Sequence, residues 1–463
     1  MYAFWHDNQW DTSINNLARI IELYPHTRGK SQAKMLGFFI YFAFKIYILK
    51  MDKFSSKKGI YTIMKGELLM NYEKLFSLID SKKDDMFNDR RWLHEHPELS
   101  YEEKETSEYI YKHYENNKNV KVEKNIGGYG VKVTIDSGKP GKTVALRADF
   151  DALPITEDTG LDYASKNKGV MHACGHDAHT AYMMTLADCL VEMKDDFSGK
   201  IVIIHQPAEE MPPGGSSFMI KDGVLDGVDN IFGCHVMSQL DFGKVYYHKG
   251  PTQQARAKFV ATVKGTGGHG AAPHEANDAI VIASNLVMSL QTIVSRRLNP
   301  MTPGVVTIGS FDGKGQFNII KDSVTLEGDV RCMSDDARVL IEKEVRNICE
   351  GLAKAYSCEI ELDYKNDYPV LMNDDEMTQL VVDAVTEAKI PEVVGVEDCG
   401  PQAQSEDFSY YSQKIPASFF YIGAKPDGKA YPHHHPKFTI NEDSMIIAAK
   451  AMGAVALKYL NEK

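Results

Sequence analysis

His172-Ala173-Cys174-Gly175-His176-Asp177-Ala178-His179 places one cysteine and three histidines within eight residues. Packing alone has no use for that density of metal-ligating side chains. A thiolate and an imidazole two positions apart reach one metal centre only if the residue between them turns tightly, and that residue is Gly175. The bland alternative is a polar loop holding a buried cysteine among chance histidines. This run by itself does not decide between the two.

Three downstream segments do. Ile201-Val202-Ile203-Ile204-His205-Gln206-Pro207-Ala208-Glu209-Glu210 reads as a buried β-branched strand that stops at a proline and two adjacent carboxylates. Neighbouring glutamates repel each other, and a cation beside them is the natural remedy. Ile231-Phe232-Gly233-Cys234-His235-Val236 is a second apolar run with one histidine near its end, and His433-His434-His435-Pro436 adds three imidazoles near the C-terminus. Each has an ordinary explanation as an exposed pair, a core histidine or a solvated loop. All of them being ordinary at once is a much poorer account.

Further motifs surround these: Arg91-Trp92-Leu93-His94-Glu95-His96-Pro97-Glu98-Leu99-Ser100, Leu146-Arg147-Ala148-Asp149-Phe150-Asp151-Ala152-Leu153-Pro154-Ile155, Gly265-Thr266-Gly267-Gly268-His269-Gly270 and Ser405-Glu406-Asp407-Phe408-Ser409-Tyr410. In order and spacing, from about Arg91 to Glu442, the set resembles the carboxypeptidase-G and aminoacylase family of two-metal amidohydrolases. The resemblance is to the branch of plant auxin-conjugate hydrolases and bacterial N-acyl-amino-acid hydrolases. It implies an enzyme that cleaves N-acyl or aminoacyl amino acids to a carboxylic acid and a free amino acid, with two divalent ions per subunit.

Hydrolysing an unactivated amide needs a nucleophile at neutral pH, an electrophile on the carbonyl and a proton donor for the leaving amine. Two divalent ions supply the first two and a carboxylate the third. Of the two adjacent glutamates, one can ligate while the other moves protons. The resemblance implies Glu209 as the base and Glu210 as the ligand, with Cys174, His176, His235 and His434 completing the ligand set and Cys174 as the bridge. His434, rather than His433 or His435, follows from the family's spacing of ligand, one residue, then proline. Asp149 and Asp407 are expected behind the ligands. His94, His96, His172, His179, His205 and His274 are expected to be structural or to orient a ligand through the second ring nitrogen. The wider superfamily carries His-x-Asp where this chain has Arg147-Ala148-Asp149. A permanently charged guanidinium cannot ligate a cation, and the branch that the chain resembles implies His176 as the source of the missing imidazole. Mixed O, N and S donors leave the metal open among zinc, manganese, cobalt and nickel.

After Met70, strands and helices alternate, which implies an α/β layered catalytic domain with a mixed sheet and ligands at strand ends. Helices are expected over 71–118 with a break around Pro97 and Ser100, and Val131 to Ile135 and Thr143 to Arg147 are expected to pair as strands. Residues 255–364 change rhythm to β-α-β-β-α-β, an inserted ferredoxin-like α+β unit that in the family is the lid and dimerisation domain. The expected division is 70–254 with 365–463 for the catalytic domain and 255–364 for the lid. In the lid the resemblance implies His269 as the group that stabilises the tetrahedral oxyanion, often from the partner subunit, and Asn318 and Arg331 as holders of the substrate carboxylate. An ordinary ion pair on the sheet surface is the alternative for Arg331.

Charge and cysteine usage narrow the partners. A formal net charge of −12 disfavours nucleic acid, which needs clustered Lys and Arg. Seven scattered cysteines form no disulfide framework and suit the reducing cytoplasm. A homodimer or homotetramer acting on a small N-acyl amino acid or short peptide is expected, with no membrane partner. Residues 1–69 differ from the rest: ten basic against five acidic, where the remainder has 42 against 59. Their apolar run Met35 to Leu49 is broken by Lys45 and, at 15 residues, is short for a span of about 20. The expectation is that translation starts at Met70, preceded by a codon run for Lys65-Gly66-Glu67 that can serve as a ribosome-binding sequence; a weak anchor is the alternative. Other functions compatible with the motifs are an N-acetyl-diaminopimelate-type deacetylase, a dipeptidase, or a metal-binding interaction protein without catalysis. The presence of Glu209 and of all five ligands argues against the last.

Overall fold

An eight-stranded mixed sheet forms the centre of the structure, in the order Val120–Ile126, Gly130–Asp136, Lys200–Gln206, Thr143–Asp149, Asn230–Met237, Ala417–Gly423, Lys244–Tyr247, Gly395–Asp398. The computed structural model describes residues 71–462, within the compact unit Leu68–Lys463. The expectations for residues 1–69, including the Met70 start and the apolar run, lie outside the described residues.

The four middle strands, Lys200–Gln206, Thr143–Asp149, Asn230–Met237 and Ala417–Gly423, run parallel. Both faces of these strands are covered, so almost every position is buried and the sequence shows apolar runs instead of alternation. Helices His176–Glu192 and Ser444–Asn461 cover one face, with Tyr182, Leu186 and Met452 packed on Leu146, Phe232 and Phe420. On the other face Met219, from the short helix Gly215–Lys221, joins Phe408, Tyr411 and Phe419. This is the expected α/β layering. Parallel strands all end on one edge, which gathers Asp149, the Glu209-Glu210 pair and His235 at the same side of the sheet.

One expected pairing is corrected. Val131 to Ile135 and Thr143 to Arg147 do not pair with each other, because Lys200–Gln206 lies between them, antiparallel to the first and parallel to the second. The central position suits that strand because all residues from Ile201 to Gln206 are buried, whereas Gly130–Asp136 alternates and sits nearer the edge. The helical segments over 71–118 fall where expected, at 71–81, Lys83–Glu95 and Lys104–Tyr114.

Residues Ala255–Tyr368 build a second, four-stranded antiparallel sheet in the order Gly304–Asp312, Ser323–Cys332, Ala255–Lys264, Glu359–Tyr368. Helices Ala279–Thr292 and Asp335–Ala355 pack on one of its faces. Each starts at a residue whose side chain accepts from its first turn: Asp278 from the Ile280 amide, and Ser334 from the Ala337 amide. The first helix is apolar on two sides. Ile282, Leu286 and Leu290 are buried on the sheet, while Val281 and Met288 are 55% and 69% exposed.

Candidate metal centre

The chain delivers its donors through strained or tightly held backbone. Gly175 adopts φ +93°, and a Cβ there would come within 2.6 Å of Val236 Cγ2, so only glycine lets Cys174 and His176 flank this turn. His176 then opens the His176–Glu192 helix. Beyond the Lys200–Gln206 strand, Ala208 sits at φ +54°, and its amide donates to Glu103 Oε1 at 2.7 Å. That left-handed residue turns Glu209 and Glu210 back over the strand ends. His434, at φ +63°, is docked by its amide to the Ala173 carbonyl at 2.8 Å.

Among the groups of potential ligand atoms lying within 4.8 Å of one another, two contain Cys174: Cys174, His176 and His235 in one, and Cys174, Glu210 and His434 in the other. Cys174 is their common member. Glu209 stands within the same distance of His176 and Glu210. Cys174 Sγ lies 3.5 Å from His235 Nε2, and His434 Nε2 lies 3.1 Å from Glu210 Oε1. Of the other two histidines of the triplet, His435 Nδ1 accepts from the Lys437 amide at 3.0 Å, whereas His433 is half-buried with an unpartnered Nε2 and its ring centroid 5.2 Å from that of His235.

The second nitrogens are spoken for. His235 Nδ1 donates to the Val236 carbonyl at 2.7 Å, and His176 Nδ1 faces the Asp151 carbonyl and carboxylate at 3.1 and 3.2 Å, which leaves both Nε2 atoms facing the donor group. His179 is different: Nδ1 bonds Asp149 Oδ1 at 2.6 Å and Nε2 accepts from the Val236 amide at 2.9 Å, so it has no lone pair to offer a metal. Arg147 is buried, donating to Asp149 at 2.6 Å, Asp407 at 2.8 Å, and Glu406 and Gln206 at 2.9 Å. Asp407 also accepts from Gln206 Nε2 and the Ser216 amide. Asp149 and Asp407 thus hold the guanidinium and His179 in place. Arg147 does the opposite of a ligand: it is a cation that assembles carboxylates.

The electrostatics of the cluster suit a cation. Burial, then Glu406 and Glu210, push the Glu209 carboxyl well above its ordinary value, and burial with Glu210 and Glu209 does the same to the Cys174 thiol. Burial opposes charge on His176, yet Asp149 and Asp151 carry it up to about 10. Burial, with His179 and His433 adding to it, holds His235 well below, a neutral imidazole. A proton on His176 and protons on Cys174 and Glu209 answer the same excess of negative charge that divalent cations would answer. His176 Nε2 is buried without a hydrogen-bond partner, and Glu210 Oε1 is buried with only the non-hydrogen-bonding approach of His434 Nε2 at 3.1 Å, as atoms meant for a metal are. The donor set fits.

The cluster opens on a cleft of about 570 Å³ whose lining includes Cys174, Glu209, Glu210, His235, His434 and, from the second sheet, Arg331. His269 and Asn318 do not line it. Both are exposed on a small two-stranded arm in which His269 pairs with Ile319 and the Gly270 amide donates to the Asn318 carbonyl. Three contributors carried no assignment from the sequence. Asp151, inside the Asp149-Phe150-Asp151 motif, holds His176 and accepts from the Glu210 amide at 2.9 Å. Glu406, inside the Ser405-Glu406-Asp407 motif, lines the cleft and is pushed up to about 8 by burial. Arg256 lines it too, with no local motif to mark it.

Comparison with known proteins places this arrangement. Residues 145–458 match the profile of Peptidase family M20/M25/M40. A structure from methicillin-resistant Staphylococcus aureus described as an aminohydrolase is 58% identical, with a TM-score of 0.81 over 84% of this chain and 99% of that one. A Bacillus subtilis peptidase described as binding a dinuclear metal centre is 31% identical, with a TM-score of 0.72 over 83% of this chain and 99% of that one. The N-acetyl-L-cysteine deacetylase of Bacillus subtilis is 40% identical over 372 residues, 80% of this chain and 87% of the relative.

Proposed function

The chain belongs to peptidase family M20/M25/M40, and from that premise we propose that it hydrolyses N-acyl amino acids at a two-metal centre. The observation that carries the reading is the pair of donor groups sharing Cys174, with Glu209 beside them and a cleft above. Cys174, His176, Glu210, His235 and His434 would hold the ions, with Cys174 the donor common to both groups. What bound divalent ions add is an activated water and Lewis acidity towards the carbonyl oxygen. Glu209 takes the proton from the attacking water and returns it to the leaving nitrogen. Arg331 and Asn318 receive the substrate carboxylate, and His269 donates to the oxyanion. Released amino acid from N-acetyl-L-methionine and a panel of N-acyl amino acids, abolished by a chelator, is the test; no release across the panel overturns the reading.

The shared position of Cys174 makes a separate expectation. Cys174→Ala should lower both rate and metal content, because a thiolate common to both groups serves both ions. Elemental analysis of the purified variant checks it. Two metals per chain retained in full would make Cys174 an ordinary buried cysteine.

The catalytic division proposed is 70–254 with 365–463, and 255–364 forms a lid that also joins two copies of the chain. The second apolar side of the Ala279–Thr292 helix supports this, as do Val305 and Phe311, 48% and 42% exposed on the edge strand Gly304–Asp312. Seven unpaired cysteines support a reducing, cytoplasmic setting.

A further inference from the structure

Arg256 and Arg331 are register partners on neighbouring strands of the lid sheet, and both line the cleft. They occupy the sheet face opposite the lid helices, since Ala255, Ala257, Val330 and Cys332 on either side of them are buried in the lid core. Like charges directly opposed across two strands destabilise a sheet unless something offsets them. Asp329 and Asp367 offset them unequally. Arg331 Nε donates to both Asp329 oxygens, at 3.1 and 3.0 Å, and Nη1 donates to Ser405 Oγ at 2.7 Å. Arg256 Nε lies 3.3 Å from Asp367 Oδ2 and 3.9 Å from Asp329 Oδ1, but it is buried and meets no acceptor in hydrogen-bonding geometry.

A guanidinium is a planar fork of donors that a two-oxygen anion matches best. The ion pair with Asp367 neutralises charge at 3.3 Å but is not aligned as a hydrogen bond, so it leaves the donors of Arg256 uncommitted. The fork remains open at the wall of the cleft. With Arg331, held in place by Asp329 and Ser405, taken as the group for the carboxylate common to all amino acids, a second guanidinium beside it has no partner in a monocarboxylate substrate.

We propose that Arg256 is a specificity-determining residue that binds a second carboxylate, so that the preferred substrates are N-acyl derivatives of amino acids with acidic side chains. The inference rests on the N-acyl amino acid reading of the cleft. Its selectivity is electrostatic and directional: the neutral carboxamide of the same shape keeps the size and loses the charge-assisted pair.

The test compares N-acetyl-L-glutamate with its near-isostere N-acetyl-L-glutamine, on metal-loaded wild type, Arg256→Gln and Arg331→Gln. Wild type should favour the glutamate derivative at least about tenfold in kcat/KM, through KM. Arg256→Gln should lower kcat/KM for the glutamate derivative at least about tenfold more than for the glutamine derivative, whereas Arg331→Gln should lower both alike. Calorimetric binding of the same two compounds to metal-loaded Glu209→Gln gives a readout free of turnover and should show the same preference. Equal binding of the two, or an Arg256→Gln loss that falls equally on both, overturns the proposal. Selective binding of N-acetylglutamate without turnover of any N-acyl amino acid by wild type would instead count against the hydrolase reading and leave the subsite standing.

Discussion

Glu209→Gln is expected to keep its metals and lose about 10²–10⁴ of its turnover, the usual contribution of a positioned acid–base group. The amide has the shape of the carboxylate, so the cleft keeps its packing. The five proposed ligands are untouched, and Glu210 stays tethered through its amide to Asp151 at 2.9 Å. What is lost is a group with high proton affinity: burial, Glu406 and Glu210 all raise the Glu209 carboxyl, and that is the condition for accepting a proton from water near neutral pH. Bound cations pull in the other direction, so the working value is a balance set by both. The turn that aims Glu209 is fixed from behind by Glu103 and from the side by Tyr368, whose hydroxyl donates to the Glu209 carbonyl at 2.6 Å. Turnover and elemental analysis on the same preparation check the prediction. A variant within tenfold of wild type would remove Glu209 from its role.

The candidate donors that the fold brings together were legible in the sequence because each sits next to a local signal: a glycine turn, a proline after a strand, a strand end. Local signals do not reveal which strands become neighbours. The register of Gly130–Asp136 against Lys200–Gln206 joins residues about seventy positions apart and is settled by which strand can be buried on both faces. The Ala417–Gly423 strand is an apolar run with no ligand-type residue to mark it, although it pairs Tyr421 with His235 and gives Tyr421 to the cleft lining. Arg256 was invisible for the same reason, since its meaning comes from Arg331 opposite it and not from Gln254 or Ala255 beside it. His172 shows the converse. It belongs to the dense histidine run, yet both its ring nitrogens are buried without partners, with burial lowering it to about 4. Proximity in the chain does not make it a ligand: its ring packs beside that of His94, with centroids 6.4 Å apart, in keeping with the structural role expected for it.

His269→Ala is expected to lower kcat by about 10²–10³, the cost of removing one oxyanion donor, while leaving fold and metal content intact. His269 is exposed and outside its own chain's cleft, so truncating it disturbs no packing. Its neutral tautomer is set by the backbone. Nδ1 accepts from the Ala271 amide at 3.0 Å, which puts the proton on Nε2, the nitrogen free to donate. The arm that carries it also carries Asn318, through Gly270, so the two must arrive at a cleft together. If a second copy of the chain delivers them, a His269→Ala chain mixed with a Glu209→Gln chain should recover part of the lost activity, because one hybrid site holds both intact groups. Asn318→Ala mixed with Glu209→Gln should recover in the same way, since the arm moves as a unit. No recovery in confirmed hybrid dimers would mean that lid closure within one chain brings His269 over the metals, and an unchanged kcat in the single variant would take it out of the site.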